Sequence, residues 1–167
     1  MKIIKYLPIA MLLFLASCNN NEMKISRADK TIVSESMDQS PIYITKNSDG
    51  TINLNEKNRI GNTDWIFSIE SSLPIGAVLP DVQRLITKKY TKGMHPDSKQ
   101  VYFLYLDTVA NQMAYLPING FEFVTDKPID SVSIHFEKNI STEKFIQELV
   151  KVATADTLAP KIPVYIY

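Results

Sequence analysis

Two strand–helix–strand successions, Asp64 to Asp107 and Ser131 to Tyr167, constrain this fold more than any other feature of the chain. In the first, Trp65, Phe67 and Ile69 share one side of an extended segment and Ile66, Ser68 and Glu70 the other. That period-2 alternation is a strand with one strongly apolar face. An apolar connector, Leu73 to Leu79, contains Pro74 and Gly76 and leads to Pro80, placed where a first helical turn accepts a residue without an N–H. Asp81 suits the positive end of a helix dipole, and Val82, Leu85, Ile86 and Tyr90 recur at i, i+3, i+4 and i+8, so the spacing predicts a helix over 80–91. Gln100 to Asp107 is apolar on both sides and belongs in a sheet interior.

The second succession begins with Val132, Ile134 and Phe136 inward and Ser131, Ser133 and His135 outward. Ser141 is a good N-cap, Glu143 follows in the first turn, and Phe145, Ile146, Leu149, Val150, Val152 and Ala153 form a broad apolar stripe. Val164 to Tyr167 reads as a last strand, too apolar to hang free. Ahead of both units, Pro41–Thr45 and Thr51–Asn55 alternate around Asp49-Gly50, which supplies the positive-φ position of a hairpin. Met113–Ile118 and Gly120–Val124 are shorter strands joined near Pro117–Gly120, their pairing open. The resulting order, β-β-β-α-β-β-β-β-α-β, predicts an α+β single domain. It has a mixed, mainly antiparallel sheet of about six to eight strands and two helices on one face. No convincing sequence repeat links the two units.

The chain has 167 residues with 18 Lys+Arg against 18 Asp+Glu, a length suited to one core. Zero formal charge and no long basic cluster argue against nucleic acid as a partner, because displacing phosphate counterions needs concentrated Lys and Arg. One cysteine excludes an intrachain disulfide, and no Cys/His cluster has structural-zinc spacing.

Position shows what that cysteine is for. Lys2 and Lys5 precede an apolar run from Tyr6 to Ala16, far short of the roughly 20 residues of a spanning helix but suited to a secretory signal peptide. The run ends at Leu15-Ala16-Ser17-Cys18, which resembles the lipobox of bacterial lipoproteins. The resemblance implies removal of residues 1–17 and a mature N-terminus at Cys18 carrying diacylglyceryl and a further acyl chain such as palmitate. At roughly 0.8 kcal/mol per buried methylene, several chains make a stable anchor. The mature chain would then keep 16 cations against 18 anions. Asn19 follows Cys18, without the aspartate that marks inner-membrane retention in enteric bacteria, so the implied location is the outer membrane, facing the periplasm or the exterior.

Residues 19–40 are rich in Asn, Ser, Lys, Asp and Glu and show no sustained period. They read as a flexible tether spanning on the order of 25 Å, with pairing of Thr31-Ile32-Val33 as a short edge strand the competing view. The division is thus signal peptide 1–17, lipidated cysteine and tether 18–40, and globular domain 41–167.

Catalytic signatures are missing: there is no G-x-S-x-G, Walker A, H-E-x-x-H, C-x-x-C or dinucleotide-binding glycine pattern, and no cofactor or metal is implied. His95 in a loop and His135 on a polar strand face are the only histidines that could serve as bases. Asp64/Glu70 and Asp107/Asp126 are carboxylate pairs with no sequence reason to be near one another. Most strand aromatics belong in the core, and tyrosines left on an exposed sheet face would be a partner or glycan surface.

In its order of elements, and in the D-G-x-I-x-L-N stretch Asp49 to Asn55, the domain resembles the periplasmic domain of ExbD/TolR-type proteins. It departs from them by lacking the acidic transmembrane helix and by inserting strands around Met113 to Val124, so proton-motive coupling is not implied and no functional residue carries over. The leading expectation is a non-enzymatic, lipid-anchored envelope protein that uses a sheet face or edge strand to hold a protein partner. The alternative is an envelope hydrolase or ligand carrier acting on peptidoglycan or a glycan, with a pocket near Leu73–Leu79.

Overall fold

The computed structural model describes residues 23–57, 62–92, 100–124, 133–153 and 161–167. The expected signal peptide, Cys18, His95, Asp126 and the expected strand start at Ser131 lie outside the described residues. The elements are β1 (Arg27–Ala28), β2 (Gln39–Lys46), β3 (Ile52–Asn55), β4 (Asp64–Ile69), α1 (Ile75–Lys92), β5 (Val101–Asp107), β6 (Gln112–Pro117), β7 (Phe121–Val124), β8 (Ile134–Phe136), α2 (Thr142–Val152) and β9 (Ile162–Ile166).

The α+β class and the mixed sheet stand, with a refinement of architecture. One sheet has six strands, β1-β5-β4-β2-β3 with β6 on β5, and a second has three, β7-β9-β8. Of the seven pairings among the described residues, only β2–β3 and β5–β6 are antiparallel. The expectation of a mainly antiparallel sheet is therefore corrected. A helical crossover returns the chain to the same end of the sheet, which makes β4–β5 and β8–β9 parallel neighbours. Likewise β6 and β7, joined by a 3-10 turn at Ile118–Gly120, do not pair with each other but serve different sheets.

The β2–β3 hairpin forms as its sequence predicts. Gly50 takes φ 90°, and Asp49 Oδ1 accepts from Thr51 N at 2.9 Å and Thr51 Oγ1 at 2.6 Å, holding the Asp49 carboxyl below its usual range. Trp65, Phe67 and Ile69 of β4 share a face with Val101, Phe103 and Tyr105 of β5, all buried. Both helices meet that face: Phe145 of α2 packs edge-on to Phe103 at 6.4 Å, and Lys89 of α1 lies over the Trp65 ring at 4.6 Å. Phe145 also touches Phe123 of β7 and Phe136 of β8, so the two sheets share one core.

Helix α1 begins at Ile75, ahead of the expected start at residue 80, which leaves Pro80 in its second turn. The proline lacks the N–H that would have bonded the Gly76 carbonyl. What starts the helix early is a junction with the second unit. Ile75 N donates to Ile140 O (2.9 Å) and Gly76 N to Lys138 O (2.8 Å), while Thr142 N donates to Leu73 O (2.8 Å) and Glu143 N to Ser71 O (3.0 Å). The four bonds form two reciprocal pairs under a shift of 67 positions, centred on the Pro74–Ser141 bridge. The turns feeding the helices match as well: Leu73 N donates to Glu70 O and Ile140 N to Glu137 O, both at 3.1 Å. The two β-α-β units thus meet through a local pseudo-two-fold. A Cβ on Gly76 would stand 2.4 Å from Lys138 Cβ, so this close approach requires glycine.

The largest departure is at residues 23–40, expected as a tether. Lys24 O accepts from Ser71 N (2.7 Å), Ile25 bridges Glu70, and Arg27–Ala28 pair with Leu106–Asp107. This segment wedges between the ends of β4 and β5, which are themselves paired only from Trp65 to Phe67. Farther on, Ile32 N donates to Tyr105 Oη (3.0 Å), Tyr105 Oη donates to Lys30 O (2.8 Å), and Val33 bridges Tyr115. Of the competing edge-strand reading of Thr31-Ile32-Val33, only an isolated bridge at Val33 forms. Sparse apolar residues concealed the docking, because the segment is held mostly by its backbone.

Candidate functional site

Two of the carboxylates weighed as catalytic are structural, and Asp64 and Glu70 do not form a pair; Asp126, weighed as the partner of Asp107, lies outside the described residues. Asp64 is buried at the start of β4, accepting from Ser36 Oγ (2.9 Å) and Gln100 N (2.8 Å). Glu70 is six residues farther along the same extended segment, roughly 20 Å away at strand rise. Asp107 accepts from Val109 N (2.8 Å), Ala110 N (3.1 Å) and the Thr31 hydroxyl; these bonds, the hydroxyl's above all, hold its carboxyl below the usual range. It closes the β5–β6 turn and ties down the N-terminal segment. Among the described residues no group of three or more His, Cys, Asp or Glu is placed to hold a metal ion.

The tyrosines on the outer face of the six-stranded sheet are largely spoken for. Tyr102 and Tyr115 pack edge-on at 6.0 Å, and Tyr115 Oη accepts from Gln39 Nε2 at 3.0 Å. Tyr43 and Met113 are exposed there. Leu73, Ile75, Val78 and Leu79, where the hydrolase reading put a pocket, are all buried core residues.

The remaining candidate base, by contrast, is half-buried beside an open corner. His135 of β8 stacks on Tyr165 of β9 at 5.2 Å with 9° between the rings, and its Nε2 meets Ser133 Oγ at 2.8 Å. An open cavity of about 510 Å³ lies beside it, lined by His135, Phe136, Glu137, Asn139, Ile140 and Tyr167. Tyr167 is 62% exposed and contributes an accessible aromatic residue to this corner.

The backbone of β8 gives the corner its chemical character. Phe136 O accepts from Tyr167 N at 3.1 Å, so Ile134 and Phe136 turn their peptide groups toward β9. Residues alternate along a strand, so His135 and Glu137 turn theirs outward. Among the described residues no strand lies beyond that edge. What the corner presents is main-chain hydrogen-bonding capacity, half-buried Ile134, and the exposed Glu137 carboxylate. Outward main-chain donors and acceptors at a strand edge are the groups through which an extended chain can add to a sheet. Sequence reasoning placed His135 on a polar strand face but could not find Glu137, which becomes conspicuous only beside its counterpart, Glu70.

A second open cavity of about 370 Å³ lies where the N-terminal segment meets α2, lined by residues that include Arg27, Asp29, Glu143 and Lys151. The Arg27–Glu143 pair there (3.2 Å) is solvent-exposed, and its charges screen one another.

Compared with known proteins, the chain matches no family model, no curated protein and no solved structure.

Proposed function

We propose that this chain is a lipid-anchored protein of the bacterial cell envelope that holds a protein partner close to the membrane without catalysing a reaction. The lipobox ending at Cys18 supports the anchor, and the open edge of β8 supports the binding role. The observation that carries the reading is the short distance along the chain from anchor to fold. Lys24, only six residues after Cys18, already accepts a hydrogen bond from Ser71 in the sheet. Six residues reach at most about 20 Å. The folded domain then sits at the lipid headgroups, and a partner bound to it is confined to the same layer. No helix among the described residues is long and apolar enough to cross a membrane; in this reading the acyl chains make the attachment.

Cys18→Ala tests the anchor. The native chain takes up labelled palmitate and enters the detergent phase, whereas the variant takes up no label and stays aqueous. Acylation or unchanged partitioning of the variant overturns the anchor. Affinity purification of the lipidated protein from membranes tests the binding role: a stoichiometric polypeptide supports it, and a copurifying small molecule with no polypeptide overturns it.

A further inference from the structure

The two units are built alike but their outer edges are finished differently. In the first, β2 lies parallel to β4 over six residues, with Ile42 opposite Phe67, Tyr43 opposite Ser68 and Ile44 opposite Ile69. Beyond the strand, Glu70 N donates to Ile44 O (2.9 Å), and the Glu70 carboxylate accepts from Lys46 N at 2.8 Å. Glu70 therefore grips the incoming strand twice, by its own N–H and by its side chain. Shifted by the 67 positions that relate the helix junctions, Phe67, Ser68, Ile69 and Glu70 become Ile134, His135, Phe136 and Glu137. The turn after Glu137 repeats the turn after Glu70, down to the bond from the third residue on. Among the described residues no strand pairs with β8 on the side where β2 pairs with β4.

We propose that the outer edge of β8 is a slot for an extended segment of a partner polypeptide, which docks parallel to β8 as β2 docks on β4. His135 supplies an N–H and a carbonyl, and Glu137 supplies its N–H and its carboxylate, the last receiving a main-chain N–H of the guest. Guest residues opposite Ile134 and Phe136 are apolar, because Ile42 and Ile44 at the corresponding places are fully buried and the residue between them, Tyr43, is exposed. A second copy of this chain fits less well: a two-fold axis would set β8 against β8 antiparallel, whereas the template is parallel. The inference deepens the binding role proposed above and does not depend on lipidation.

The chain's own β2 provides a defined probe. A synthetic octapeptide of sequence Gln39 to Lys46 is titrated into the isotopically labelled mature chain. In a parallel protein the same octapeptide follows Tyr167 through a Gly/Ser linker of about a dozen residues, which sets a millimolar effective concentration and keeps weak affinity from deciding the result. The expected outcome is amide exchange slowed roughly ten-fold at His135 and Glu137, with Ser68 and Glu70 unchanged. Glu137→Pro, which removes an outward N–H but none directed at β9, abolishes the slowing while Phe67 and Phe103 keep their protection. His135→Pro serves the same purpose should the first variant not fold. No slowing in the linked protein, slowing confined to β4, slowing that survives both proline variants, or dimerisation through β8 without added peptide each overturns the proposal. None of these outcomes touches Cys18, so a failure here is distinct from a failure of the anchor.

Discussion

The first β-α-β unit, β4-α1-β5, is enclosed, whereas among the described residues the second, β8-α2-β9, has no strand on the outer side of β8. Strands β4 and β5 separate after Phe67 and Phe103, and the N-terminal segment fills the gap; β8 and β9 stay paired through Phe136 and Ile166. On its outer side β4 carries the β2–β3 hairpin, so all six of its residues are buried, whereas only Phe136 of the three in β8 is buried. One local architecture is thus finished in two ways: β4 is paired on its outer side, and among the described residues β8 is not.

The strongest way to break this comparison is through the core the units share. Phe145 is fully buried and touches Phe103 in one sheet and Phe123 and Phe136 in the other. Phe145→Ala is expected to cost about 3–5 kcal/mol, with both units unfolding in one transition in urea. Two separated transitions would show that they are independent bodies.

A smaller effect sharpens the pseudo-two-fold. Gly76 and Glu143 occupy corresponding places, yet only Gly76 is pressed against Lys138. Gly76→Ala is expected to destabilise by about 1–3 kcal/mol, while Glu143→Ala, losing an exposed ion pair, costs under about 1 kcal/mol. Equal costs in denaturant melts would remove the asymmetry assigned to the junction.

The smallest expected effect separates the wedge from the rest. Burial pushes the Tyr105 phenol up to about 12, outweighing the bond from Ile32 N. The folded state thus resists ionisation of this group. Its contribution to stability is complete below the ordinary phenol value near 10 and is lost as pH rises toward 12. Tyr105→Phe, which frees Lys30 and Ile32 of their side-chain partner, is expected to cost about 1–2 kcal/mol at neutral pH. It should also flatten the alkaline melting profile between those limits. Hydrogen exchange in the variant should rise at residues 30–33 and not in β8, which has no wedge.

Much of the fold was legible because alternation and helical spacing are local. The hairpin around Asp49-Gly50, the β4 and β5 strands, and α2 with Ser141 as its cap all follow from neighbours in sequence. Three things were not legible. Alternation reports which side of a strand is buried but not the direction of its partner, so the parallel pairings were hidden. Pro80 and Gly76 masked the start of α1, which is stabilised by carbonyls from across the molecule. The docking of residues 24–33 was hidden because Ser26, Ala28 and Ile32 form no periodic stripe.

The site divides along the same line. The sequence alone determined the succession of strands and helices and the missing catalytic signatures, and it alone carries the expectation of an N-terminal lipobox, since each depends on residues within one short stretch. Only the tertiary structure decided that the two units face each other, that the outer edge of β4 is covered while β8 has no outer neighbour among the described residues, and that Glu137 corresponds to Glu70, which holds a strand. Apart from that glutamate and the neighbouring Leu73/Ile140 pair, the matching turns share little in their side chains. Their likeness is carried by backbone hydrogen bonds, which are common to all residue types and leave no mark in the order of amino acids.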